Sequence, residues 1–179
     1  MSEPKPLLAP VAPPVGEHRL WKDGQFITDP WRVLGDDEHL PAEGHAILSL
    51  ARWRKGVRAG GANIGVKLHP DEAPDTATDD IHRLGVIALV FPKFSNGRAY
   101  SLARQLREVY GYKGEIRATG DVLLDQIPLM LRCGFDALEI VHLPTIAALE
   151  KGALPAIWNV YQPGAERSRT NWQYRRVAV

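Results

Sequence analysis

The sequence predicts an α/β fold in which parallel βα units form a half-barrel-like or open sheet, preceded by an N-terminal β-hairpin. Three observations carry this. Between Gly85 and Val141, three short apolar runs alternate with two segments of helical periodicity, the rhythm of a βαβαβ unit. Val86 to Phe91 is apolar at every position, the pattern of a central parallel strand covered on both faces. Arg19 to Ile27 sets two strand-like runs around Asp23-Gly24, a pair that tolerates positive φ and closes hairpins.

Taken in order, residues 1–16 hold Pro4, Pro6, Pro10, Pro13 and Pro14 with Glu3 near the start. They read as a disordered Pro-rich tail, with no apolar run long enough for a signal peptide or membrane span. Residues 17–162 form one α/β domain that opens with the hairpin, and 163–179 form a basic, aromatic tail. Asp29 to Gly44, rich in Pro, Gly and acid, is expected to be loop, and Ala46 to Lys55 a short helix from the spacing of Ile47, Leu50, Ala51 and Trp53. Asn63 to Leu68 is a strand, ended by Pro70, and Asp79 to Leu84 a helix. After Phe91, the residues Ala99, Leu102, Ala103, Leu106, Val109 and Tyr110 share one helical face, leaving Arg104, Arg107 and Glu108 outward. Ser95 or Asn96 caps this helix and Gly111 stops it. Glu115 to Thr119 is the next strand. With Asp125 as N-cap, Pro128 falls in the first turn of the following helix, where its missing N–H matters least. Gly134 ends that helix, Asp136 to Val141 is a strand and Thr145 to Lys151 a helix.

Composition narrows the function classes. The 179 residues carry a formal net charge of +1, so no global field points to nucleic acid or an anionic membrane. Cys133 is the only cysteine, which excludes a disulfide framework and the usual cysteine-ligated metal sites and suits a cytoplasmic protein. No metal motif and no G-x-G-x-x-G or phosphate-loop fingerprint occurs, so no cofactor is predicted.

The candidate site follows the first two apolar runs, where α/β sheets hold ligands. Lys93, Ser95, Asn96 and Arg98, before a helix N-terminus, either gather a small anion or simply cap the helix while the cations stay solvated. Asp121, after Gly120, is the candidate catalytic base, or a turn acid. Lys67, Glu115, Arg117 and Glu139 place charge within strands, which requires either internal pairing or an open, wet concave face. His69 and His142 are read as satisfied or exposed histidines, and Cys133 as a small buried hydrophobe. In the tail Arg167, Arg169, Arg175 and Arg176 alternate with Trp172 and Tyr174, the composition of a docking segment or of a tail folded back on its own domain.

The blocks FPKFSNGRAYSLARQLRE, GYKGEIRATGDVLLDQ and RCGFDALEI, with LWKDGQFITDPW upstream, resemble the bacterial domain of unknown function 934 family. Its members are encoded beside assimilatory sulfite reductase and are described as oxidoreductases or accessory proteins of sulfite reduction. The family supplies no catalytic residues, so Lys93, Arg98, Asp121 and Gln126 are positions within its motif blocks. The resemblance implies an accessory protein of sulfate assimilation acting with sulfite reductase or its electron donor. The alternative is a small enzyme acting on a sulfur oxyanion or other small anion.

Overall fold

A computed structural model describes residues 15–56, 63–74, 80–155 and 165. Two antiparallel strands, β1 (Val15–Lys22) and β2 (Gln25–Ile27), turn at Asp23 and Gly24, both at positive φ. β1 takes in Val15 and Gly16, at the edge of the Pro-rich segment. Six strands then run parallel: β3 (Trp31–Val33), β4 (His45–Ser49), β5 (Asn63–Leu68), β6 (Val86–Phe91), β7 (Glu115–Gly120) and β8 (Ala137–His142). The helices are α1 (Leu50–Arg54), α2 (Arg98–Glu108), α3 (Ile127–Arg132) and α4 (Leu143–Glu150).

The sheet order is β2-β1-β8-β7-β6-β5-β4-β3, with β1 antiparallel to β8. Its two edge strands are therefore neighbours in sequence, joined only by Thr28, Asp29 and Pro30. Laid flat, eight strands at about 4.8 Å would span roughly 34 Å. The link from Ile27 to Trp31 reaches at most about 14 Å. The sheet must curl, and it does so as a half-barrel.

The convex face packs against the helices. Leu68, Leu89, Phe91, Ile116 and Leu138 from the strands meet Leu50, Leu106, Met130 and Ile146 from the helices in one buried cluster. Each such side chain contributes about 1.5–3 kcal/mol by leaving water. On the inner face, Ile47, Val86 and Ala88 form a second cluster, roofed by Trp31.

Five expectations are corrected. The region 29–44 contains β3, and Ala46 to Lys55 is a strand followed by a five-residue helix capped by Ser49. Leu84 lies beyond a short 3-10 turn, Ile81–Arg83, where a longer helix was expected, and Asp79 lies outside the described residues. Asp125 sits in a 3-10 turn, Leu124–Gln126, and Gln126 is the N-cap of α3; Pro128 does occupy its first turn. Arg107 does not face solvent. Its guanidinium donates to the carbonyls of Gly134 (3.0 Å), Tyr112 (2.8 Å) and Gly114 (2.9 Å) and pairs with Asp136.

Candidate functional site

The carboxyl ends of β6 and β7 bring the motif residues together. Gly120 makes this possible: at φ +99° it ends β7 so close to β6 that a Cβ there would lie 2.4 Å from the Phe91 carbonyl oxygen. The next amide, of Asp121, donates to that same oxygen at 2.8 Å, which aims the Asp121 carboxylate at the β6–α2 loop. Its Oδ2 accepts the Phe94 N–H at 2.8 Å. The Gln126 amide donates to the Phe94 carbonyl at 2.7 Å, while its oxygen accepts the Leu123 N–H at 3.3 Å. Phe94 is thus held on both sides of its backbone by residues from beyond β7. The residue nevertheless remains 54% exposed.

The rest of the loop is shaped by its own backbone. Asn96 N–H donates to the Lys93 carbonyl at 3.0 Å, and Asn96 Oδ1 accepts the Arg98 N–H at 3.2 Å. Gly97 is the N-cap of α2, so the capping expected of Ser95 or Asn96 is replaced by this turn before the helix. Pro92, Lys93, Ser95, Asn96, Gly97 and Arg98 line an open depression of about 590 Å³. Among the described residues, the side chains of Lys93 and Arg98 have no ion-pair partner. Asp121, read as a candidate base or a turn acid, holds the loop by accepting the Phe94 N–H.

The charges expected within strands lie on the inner face, and most are paired. Arg117, 1% exposed, donates to Asp29 from Nη1 (2.6 Å) and Nη2 (3.1 Å) and to Glu115 from Nε (3.0 Å). Burial opposes its charge, but the hydrogen bonds and fields of Asp29 and Glu115 outweigh it and raise its pKa. Lys22 Nζ donates to the other oxygen of Glu115 at 2.8 Å, a bond that raises the Lys22 pKa. Glu139 pairs with His18. Asp29 went unrecognised in the sequence because its partner lies 88 residues away; the one available signal was that an arginine inside a strand requires a carboxylate.

Below this layer, burial pushes the Asp136 carboxyl above its ordinary value although the Ile116 N–H and Arg107 favour its anion. His142 hydrogen-bonds Thr145 at 2.8 Å, and His69 is exposed. Cys133 is half-buried, its thiol pushed up by burial. Arg167, Arg169, Trp172, Tyr174, Arg175 and Arg176 lie outside the described residues. The described residues contain no cluster of three or more His, Cys, Asp or Glu placed to hold a metal ion, and no helix long and apolar enough to cross a membrane.

None of the curated proteins matches the chain. The model of the bacterial protein family of unknown function DUF934 matches residues 65–172, which spans β5 to α4 and includes the β6–α2 loop, Asp121 and Gln126. With more than half of its length matched, the chain belongs to the DUF934 family of bacterial proteins.

Proposed function

We propose that this protein is a cytoplasmic accessory protein of assimilatory sulfite reduction that docks on sulfite reductase or its electron-donor protein through the β6–α2 loop. One observation carries the docking reading: Phe94 has its main chain fixed by Asp121 and Gln126 while its ring stands in solvent beside Lys93. A loop held in one conformation loses little entropy on association. An exposed aromatic beside cations suits a partner with an apolar pocket rimmed by carboxylates, a common arrangement in interface hot spots. The sulfite setting rests on the resemblance to a family encoded beside sulfite reductase. The competing reading, an enzyme using Asp121 as its base, is weakened because that carboxylate already accepts the Phe94 N–H.

The test is capture of sulfite reductase and its electron donor by the purified protein at low and high salt. The wild type should capture one of them, and high salt should weaken the contact, because exposed charges are screened beyond about 8 to 10 Å at ordinary ionic strength. Phe94→Ser and the Lys93→Glu/Arg98→Glu pair should each reduce capture about tenfold or more with the melting temperature unchanged. A chain truncated after Gly164 reads the contribution of the basic aromatic tail. Capture unaffected by the loop variants would remove the loop from the interface, and a wild type that captures neither protein would defeat the accessory role.

A further inference from the structure

The inner face of the half-barrel carries a ring of residues in one register: Ser49, Lys67, Ala88, Arg117, Ala137 and Lys22, on β4, β5, β6, β7, β8 and β1. Its cations sit on alternate strands, separated by alanines. Alternate strands filling a common layer is how the interiors of βα barrels pack. Here the layer is charged. Its three cations face three inner-face carboxylates, Glu115, Asp29 and Glu139, all of them already engaged, by Arg117, Lys22 and His18.

Lys67 is the cation left over. Its strand neighbours Val66 and Leu68 turn to the convex face and are buried, which fixes Lys67 on the inner one. Among the described residues its ammonium has no hydrogen-bond or ion-pair partner, although the side chain is half-buried. The floor beneath it is apolar, made by Ile47, Val86, Ala88 and Trp31, so a counter-charge there would be poorly screened by water. Among the described residues, Asp36 and Glu139 are engaged elsewhere. Asp36 accepts the hydroxyl of Ser49, the register neighbour of Lys67, at 2.6 Å, and Glu139, on β8 beside the strand of Thr119, pairs with His18. One step toward the carboxyl ends of the strands, Thr119 offers a hydroxyl from the same inner face.

We infer that Lys67 anchors a small oxyanion in the mouth of the half-barrel. The ligand class is set by the charge: a compact anion with terminal oxygens, able to take the ammonium's hydrogen bonds, with the Thr119 hydroxyl on the same face. The site is separate from the β6–α2 loop and stands or falls independently of docking there.

The experiment is titration of the full chain with inorganic phosphate, sulfate and acetate in turn at low ionic strength, followed by calorimetry. At least one of the three should bind the wild type, and comparison of the three separates a tetrahedral oxyanion from a carboxylate. Lys67→Met should weaken that binding about tenfold or more, Lys67→Arg should retain most of it, and the Lys93→Ala/Arg98→Ala pair should leave it within about twofold. If Lys67→Met does not fold, reductive 13C-methylation of the wild type replaces it. The Lys67 resonance, assigned by its loss in Lys67→Arg, should then move as the anion is added. Binding undiminished in Lys67→Met, loss of binding in the loop variant, a stationary Lys67 resonance, or no binding of any of the three anions would each overturn the inference.

Discussion

The two ends of the β6–β8 segment carry similar charge and use it in opposite ways. At the amino ends, Arg107, Asp136, Glu115, Lys22 and Arg117 bond to one another and to backbone carbonyls. At the carboxyl ends, Lys93 and Arg98 reach into solvent, and the acid beside them, Asp121, holds backbone instead of neutralising them. The difference teaches where recognition is available. Charge that is already satisfied stabilises the fold, whereas charge on a fixed loop without a counter-ion is left to meet a partner.

The comparison breaks most sharply at Glu115, which serves both Arg117 and Lys22. Glu115→Ala should cost about 3 kcal/mol or more, because a buried guanidinium loses one of its two carboxylates. Urea denaturation checks this, and a loss near zero would mean that Asp29 alone suffices. A smaller effect is expected within α2. Arg107→Ala, which strands three carbonyls and Asp136, should cost about 2 kcal/mol. Arg104→Ala, three residues earlier and paired only with exposed Glu108, should leave the melting temperature unchanged. Equal effects would erase the distinction between the inward and outward faces of that helix.

The smallest effect is a pH dependence. Burial raises the pKa of the Tyr112 phenol, which donates to the Leu84 carbonyl at 3.1 Å, and the Glu115 hydrogen bond raises that of Lys22. Both groups hold their protons more tightly in the folded state. Their stabilisation is therefore complete below their ordinary values, near pH 10, and lost as pH rises through the folded ones. Melting temperatures should fall above about pH 10. Tyr112→Phe should cost about 1 kcal/mol at neutral pH and flatten that alkaline decline. A slope unchanged by Tyr112→Phe would assign the titration elsewhere.

What the sequence revealed was mostly local. The Asp23-Gly24 hairpin, the apolar run of β6, the amphipathic α2 and the position of Pro128 are each written within a few residues, and the structure contains them all. β4 was misread because Ile47, Leu50, Ala51 and Trp53 fit a 3.6-residue period, whereas Ala46, Ile47 and Leu48 are buried on both faces of a sheet. Short apolar runs do not distinguish a buried strand from a helix. β3 is three residues whose strand character comes from pairing with β4. Arg107 lies on the polar stripe by periodicity, yet its long side chain reaches the loop and turn beneath the helix. Lys93, Ser95, Asn96, Arg98 and Asp121 do lie together at the carboxyl ends of β6 and β7, but the use of Asp121 depends on where Phe94 sits, a contact across 27 residues.

The link through Thr28, Asp29 and Pro30 that draws the sheet's edges together also has a kinetic meaning. The hairpin is synthesised early, yet β1 finds its second partner only in β8, with His18 and Glu139 separated by 121 positions. At ordinary translation speeds of 5–20 residues per second, that separation is a wait of roughly 6 to 24 s. During it, one flank of the hairpin offers unpaired amides and carbonyls to any passing strand. Pairing of such distant segments also slows folding in free solution. A nascent-chain complex stalled before β8 should therefore leave the amide of Trp21, which points away from β2, open to exchange, and release of the full chain should close it.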